Sequence, residues 1–388
     1  MILIHDVETF TPDPAGRTDI LLAGTRIERM APGIPLPHEL AEVVSGEGLL
    51  AVPGLVDGHV HIAGGGGEGG YASRTPELVL GDAIRGGVTT VVGCLGTDGV
   101  TRSLSVLLAK AYALEEEGLS TFVLTGSYGV PLLTLTGSVE RDLLLVEKVI
   151  GAGEIAISDH RSSQPRFEEL ARIAADAHRG GILSGKAGVL NVHLGNGPGG
   201  LSLLVRLAEE TELPVTQFLP THVNRNPRLF ESGIGWAKRG GWVDLTTSNV
   251  PAFFASGSVK PSTGLKRMLE AGVEPGRITF TSDGQGSLPD YDDEGRLLGL
   301  DVGRVDSLLA EVRDAVLVDG VPVAAALGVA TRNPARALSL RRKGVLAEGL
   351  DADVVLLRKE DLSVDTVIAR GRFLMRAGRI VVKGTFEP

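Results

Sequence analysis

The feature that most constrains this chain is a regular alternation of two patterns. Eight short apolar, β-branched runs recur: "LVDGHVHI" (55–62), "TTVVGCL" (89–95), "TFVLTGSY" (121–128), "EIAISD" (154–159), "VLNVHLG" (189–195), "VTQFLPTHV" (215–223), "WVDLTTS" (242–248) and "ITFTSD" (278–283). Runs this apolar suit parallel strands buried on both faces. Helical patterning lies between them. In "FEELARIAADAHRGG", Leu170, Ile173, Ala174 and Ala177 form one apolar stripe, and Gly180 with Gly181 predicts the helix stop. Eight such units predict an α/β fold, a (β/α)8 TIM-like barrel over residues 54–335. A doubly wound sheet is the alternative, and it more often opens with a phosphate-binding glycine turn. "GGGGEGG" (64–70) is not that turn. It lacks the Lys-Ser/Thr of a P-loop, and any glycine run meets G-x-G-x-x-G.

The ends read differently. "MILIHDV", "TDILLAGTRIERM" and "GLLAVPG" at the start, and "GVLAEGLDADVVLLR" and "VDTVIARGRFLMRAGRIVVKG" at the finish, are strand-rich and broken by glycine and proline. They predict a small β-sandwich domain built from residues 1–50 plus 340–388. His5 and His38 fall in it and His178 falls on a helix, so all three read as structural.

Composition narrows the function classes. The chain has 388 residues, 43% hydrophobic and 22% charged, enough to bury a large core. Its net charge of −10 argues against nucleic acid, whose phosphates attract basic proteins. The single cysteine, Cys94, cannot form an intramolecular disulfide and reads as a small packed hydrophobe, so a cytoplasmic location is expected. "MILIHDVETFTPDP" is too short and interrupted for a signal peptide, and no apolar run reaches membrane-span length.

Chemistry gathers at the ends of the predicted strands. His59 and His61 lie two apart on strand one and share a face. Strand five ends in His193, strand six in His222 and strand eight in Asp283, while strand four begins with Glu154. Barrel active sites sit at the C-terminal rim. Four imidazoles plus carboxylates exceed the needs of one zinc, so two metals sharing an oxygen ligand are expected. Glu68 reads by default as a solvated loop carboxylate, Tyr128 as a packed ring with a wet hydroxyl, and Arg161 and Arg225 as surface cations. The shared place of Arg161 and Arg225 at the rim raises both as site candidates.

These residues carry a resemblance. "PGLVDGHVH", with His193, His222 and Asp283 in order, resembles the amidohydrolase superfamily. "HVHIAGGGGEGG", "SRTPE", "GVTTVVGCLGTDG", "LTGSYGVP", "LTGSVE", "AISDHRSS", "LPTHVNRN", "TSDGQGS" and "VKGTFE" look like its isoaspartyl dipeptidase (β-aspartyl peptidase) branch, from about residue 50 to the C-terminus. The resemblance implies hydrolysis of β-aspartyl dipeptides by a bridging hydroxide, two Zn2+ per subunit, and a homo-oligomer. It implies that His59 and His61 bind one ion with Asp283, and that His193 and His222 bind the other. Asp283 would shuttle the proton and Tyr128 would donate to the oxyanion. Glu68 would meet the substrate ammonium, and Arg161 and Arg225 its carboxylates. Thr97 and Ser287 would meet nearby polar groups, and the glycine loop around Gly66 would let backbone approach closely. The branch's bridging group is a carboxylated lysine. Here that position is Glu154, after one extra residue in "VIGAGEIAISDHRS", while Lys148 is placed in the preceding helix and Lys186 in another segment. The expectation is therefore a Glu154 carboxylate bridge. The rivals are a dihydroorotase- or hydantoinase-like cyclic-amide hydrolase, and a metal-free barrel with an assembly role.

Overall fold

The computed structural model describes every residue except 36–39, 250–252, 255–256, 292–295 and 388. His38 lies outside the described residues. All eight expected strands are present: Leu55–Val60, Val88–Gly93, Ser120–Thr125, Val149–Ile157, Val189–Leu194, Phe218–Thr221, Val243–Thr246 and Ile278–Thr281. The first six form one parallel sheet in chain order, and the last two pair in parallel. Backbone bonds close the circuit. Val223 N donates to Asp244 O (3.1 Å) between strands six and seven. His61 N donates to Gly284 O (2.8 Å) and Asp283 N to His59 O (3.1 Å), joining the last strand to the first. The last bonds place the first two histidines beside Asp283 through the main chain itself.

Both termini share a nine-stranded sheet. Its seam is Leu49–Pro53 against Val354–Arg358, antiparallel over five residue pairs. His5 bonds Asp19 in this sheet (3.0 Å), and His178 bonds Gln217 Oε1 on the barrel (2.8 Å), in keeping with structural roles. Among the described residues, no helix is long and apolar enough to cross a membrane.

Two local readings change. The helix expected to stop at Gly180 runs from Phe167 to Ser184, and Gly185 in the left-handed region ends it. Gly180 and Gly181 serve close packing instead, since an added Cβ would lie 2.8 Å from a Leu143 methyl and 2.8 Å from Gly188 Cα. Leu170, Ala174 and Ala177 are buried as the stripe requires, with Ile173 at its margin.

Strand four does not begin at Glu154. It begins at Val149 and carries Glu154 in its interior. Pairing with strand five steps from Leu190↔Ala152 to Val192↔Ile155, so Gly153 and Glu154 together oppose Asn191. This is a bulge of one extra residue, which bends a strand and re-aims a side chain. Gly153 has φ 140, and a Cβ there would lie 2.6 Å from Asn191 O. Gly153→Ala should therefore lower unfolding free energy by about 1–3 kcal/mol. A denaturation midpoint that falls while the m-value holds would confirm it; an unmoved midpoint would refute it.

Candidate active site

His59 is the penultimate residue of strand one, and His61 follows the strand immediately. Their rings stand 5.5 Å apart. His193 lies within strand five, His222 one residue past strand six, and Asp283 two past strand eight. His222 (φ 64) and Asp283 (φ 55) both adopt the left-handed region, which costs energy for a side chain of this kind and marks sites where geometry is imposed from outside.

One carboxylate gathers all four imidazoles. Glu154 Oε1 is 3.4 Å from His61 Nε2, while Oε2 is 3.4 Å from His59 Nε2, 3.2 Å from His193 Nδ1 and 3.7 Å from His222 Nε2. Asp283 Oδ1 is 3.0 Å from His61 Nε2 and 3.7 Å from His59 Nε2. Zinc holds nitrogen and oxygen ligands at about 2.0–2.2 Å, so two ligands of one tetrahedral ion lie roughly 3.4 Å apart. The observed spacings fall around that value. Among the described residues, His59 Nδ1 and Nε2 and Asp283 Oδ1 are buried with no hydrogen-bond partner, an arrangement that costs free energy unless something else binds them. The donor set therefore fits metal ions.

The protonation directions agree. Burial pushes His222 down to about 3, leaving a neutral imidazole with a lone pair. Thr246 Oγ1 meets its Nδ1 at 2.6 Å, which turns Nε2 toward Glu154. Burial raises the Glu154 carboxyl, but His59 and the hydrogen-bonding imidazoles outweigh it and hold the group well below its ordinary value. Burial raises the Tyr128 phenol well above its ordinary value, so Tyr128 is a donor. Its hydroxyl is 2.8 Å from His193 Nδ1.

A second group lies beside the first. Glu68 Oε1 accepts from Arg161 Nη1 (3.1 Å) and Thr97 Oγ1 (3.2 Å), and Oε2 accepts from Ser287 Oγ (2.9 Å). Glu68 is not the solvated carboxylate of the default reading, since its side chain is 6% exposed. The glycines let the loop fold this way. Gly64 and Gly66 have positive φ, and a Cβ on either would meet backbone oxygen at 2.5 or 2.6 Å. Thr75 Oγ1 accepts from Gly65 N, and Arg102 Nη2 donates to Gly65 O, pinning the loop from behind. Arg225 shares the cleft, and its Nε is buried without a partner among the described residues. A cavity of about 280 Å3 joins the two groups, with His61, Glu68, Tyr128, His222, Arg225 and Asp283 on its wall.

All the site residues expected from sequence come together here. Three others did not stand out in the sequence. Asp159 bonds His193 and Arg161, and Thr246 orients His222. Cys94 is buried as expected, but its sulfur lies 3.9 Å from His61 Nδ1, and with His59, His61 and Glu154 it belongs to one of the side-chain groups that could hold a metal ion. A carboxylate two residues before an arginine at a strand end, as in "SDHR", was the only sequence signal for Asp159.

A family model described as "Amidohydrolase family" matches residues 50–374. The chain belongs to the amidohydrolase family. Two solved structures of the β-aspartyl dipeptidase from the thermophilic, keratin-degrading Fervidobacterium islandicum AW-1 resemble this amidohydrolase. One, in complex with β-Asp-Leu dipeptide, is 47% identical, with a TM-score of 0.91 over 98% of both chains. The other is 45% identical, with a TM-score of 0.88 over 97% of this chain and 98% of that one. A D-hydantoinase at 16% identity and TM-score 0.68, over 99% and 97% of the two chains, shares the fold. Among curated proteins, a dihydroorotase of Leifsonia xyli subsp. xyli is 38% identical over 30% of this chain, which spans 25% of that relative's length. One from Solibacter usitatus is 30% identical over 38% of this chain, which spans 33% of its length.

Proposed function

We propose that this amidohydrolase is a zinc-dependent dipeptidase that hydrolyses β-aspartyl dipeptides. The observation that carries the reading is one cavity holding both a metal-ligand cluster and a matched set of a carboxylate and two guanidiniums. The likeness to an enzyme whose structure holds β-Asp-Leu supports it. His59, His61 and Asp283 would hold one zinc, His193 and His222 a second, and Glu154 would offer an oxygen to each. Bound zinc supplies a Lewis acid and lowers the pKa of water to about 7.

The chain's own groups do the rest. Glu68 binds the α-ammonium of the aspartyl half, an attraction that Thr97 and Ser287 hold in register. Arg225, with its unsatisfied Nε, and Arg161 bind carboxylates. The backbone around Gly66 closes one side. Tyr128 donates its hydroxyl to the oxygen that gains charge. Asp283 takes a proton at Oδ1 and returns it to the departing amine. The unpartnered, buried His59 nitrogens speak against a metal-free assembly role. We further read the barrel, 54–335, and the terminal sheet, 1–50 with 340–388, as separate domains of a cytoplasmic homo-oligomer.

The test is a hydrolysis panel with zinc content measured in parallel. β-Asp-Leu should be cleaved, and α-Asp-Leu, dihydroorotate and hydantoin should be poor substrates. Glu68→Gln should cost substrates with a free α-amine about 10–100-fold in kcat/KM, the worth of a hydrogen bond to a charged group, and cost their N-acetyl forms far less. Arg225→Met should penalise free carboxylates more than the matching amides. Equal losses across these pairs would place the contacts elsewhere, and faster hydantoin or dihydroorotate turnover would favour the cyclic-amide reading.

A further inference from the structure

Asp159 is the point where the two halves of the site meet. It follows strand four, and its side chain is 4% exposed. Its carboxylate grips Arg161 with both oxygens: Nε donates to Oδ1 at 3.0 Å and Nη2 to Oδ2 at 2.9 Å. The Arg161 backbone N also donates to Oδ1 (2.8 Å). The same Oδ2 lies 3.0 Å from His193 Nε2. Arg161 in turn reaches Glu68, so an unbroken polar chain runs Glu68–Arg161–Asp159–His193. Gly195 packs close behind Asp159, where an added Cβ would lie 2.5 Å from Asp159 Cβ.

The chemistry of the chain is directional. A carboxylate only accepts, so the proton on His193 sits at Nε2. The lone pair is then at Nδ1, the nitrogen that faces Glu154 at 3.2 Å and Tyr128 at 2.8 Å. Arg161 Nη2 lies 3.3 Å from His193 Nε2 but has its shorter acceptor in Asp159. A carboxylate behind a ligating imidazole fixes its tautomer and raises its basicity. A bidentate carboxylate fixes a guanidinium flat.

We propose that Asp159 is a positioning residue that couples metal retention at His193 to anion recognition at Arg161. The anion half rests on the proposed dipeptidase reading; the metal half does not. An asparagine cannot serve both partners: with N–H2 at the Oδ1 place it meets the Arg161 Nε and backbone donors, with N–H2 at the Oδ2 place it meets both Arg161 Nη2 and His193, and either way the charge behind the imidazole is gone.

The experiment uses zinc-loaded full-length protein. Zinc affinity is read by chelator competition, with and without saturating L-aspartate as the anionic probe. Asp159→Asn should weaken zinc about 10–100-fold, as other partners behind ligating imidazoles do. Arg161→Met should raise KM and leave zinc affinity unchanged. In the wild type, L-aspartate should tighten zinc by the same factor that zinc tightens L-aspartate, since such coupling is reciprocal. Both variants should abolish that factor. The KM effects of the two substitutions should not add.

Wild-type zinc affinity in Asp159→Asn, or equal zinc loss in Arg161→Met, overturns the proposal. Should the asparagine variant fail to fold, the wild type and Arg161→Met still decide, because absence of zinc–aspartate coupling in the former, or its survival in the latter, overturns it too. Zinc loss in Asp159→Asn alongside no β-aspartyl hydrolysis by the wild type would sink the dipeptidase reading and keep the metal half.

Discussion

Asp283→Asn should cut kcat by about 10²–10⁴-fold, the usual worth of a positioned general base or acid, while leaving most zinc bound. The geometry separates the two effects. Four imidazoles and Glu154 remain to hold metal, so an isosteric amide removes little of the ligand set. What it removes is the oxygen at Oδ1, which no hydrogen bond occupies and which lies 3.0 Å from His61 Nε2. That oxygen is held by constraint rather than by choice of a relaxed conformer. Asp283 has φ 55, and only glycine fits at 286 and 303, where an added Cβ would lie 2.5 Å from Oδ1 and 2.2 Å from the Asp283 carbonyl oxygen. An amide there can neither take up nor return the proton. Steady-state kinetics on β-Asp-Leu with zinc measured on the same sample checks this. An asparagine variant that keeps near wild-type turnover removes Asp283 from the proton path.

How much of this was readable from residues alone depended on whether the signal was local. The eight strands announced themselves because burial on both faces demands continuous apolar runs, and strand ends then placed His59, His61, His193, His222 and Asp283 on one rim. Glu68, Thr97, Arg161 and Ser287 were nameable through their motifs, yet their mutual bonding joins residues up to 219 apart and could not be derived from spacing. Asp159 escaped for the same reason: its partner His193 is 34 residues away. Strand four was misjudged because "VIGAG" looks like loop. Glycine in a strand usually weakens it, and only the pairing partner shows that Gly151 and Gly153 face Val189 and Asn191 too closely for any side chain. Lys148 was misplaced too; it lies in the turn after the helix Val139–Leu145 rather than within it. Gly180 and Gly181 carry the matching lesson for helices, where a glycine pair can mean contact rather than termination.

The bulge at Gly153–Glu154 leads to the prediction with the widest consequence. A lysine carbamate reaches a metal pair from a distant backbone; a glutamate is several bonds shorter. Glu154 sits at the extra residue of strand four with its carboxylate among the imidazoles, and Gly96 leaves room for it, since a Cβ there would sit 3.3 Å from Glu154 Oε1. The candidate lysines are engaged elsewhere. Lys148 Nζ donates to Thr121 O (3.1 Å) and Thr121 Oγ1 (2.9 Å) and pairs with Glu115, while Lys186 Nζ donates to Leu143 O and Val146 O, both at 2.7 Å. Glu154, in contrast, has each oxygen against a different part of the cluster, Oε1 toward His61 and Oε2 toward His59, His193 and His222. Glu154→Ala should therefore lose zinc and activity together, leaving four imidazoles with no shared anion to hold two dications near each other. Activity of the wild type should not respond to added or depleted bicarbonate, because no CO2 is needed to complete the site. Zinc content by elemental analysis, turnover across a bicarbonate series, and mass spectrometry of the native protein read the three parts. Full occupancy of two zinc ions in Glu154→Ala, or a carbamate on any lysine, would move the bridge to another residue.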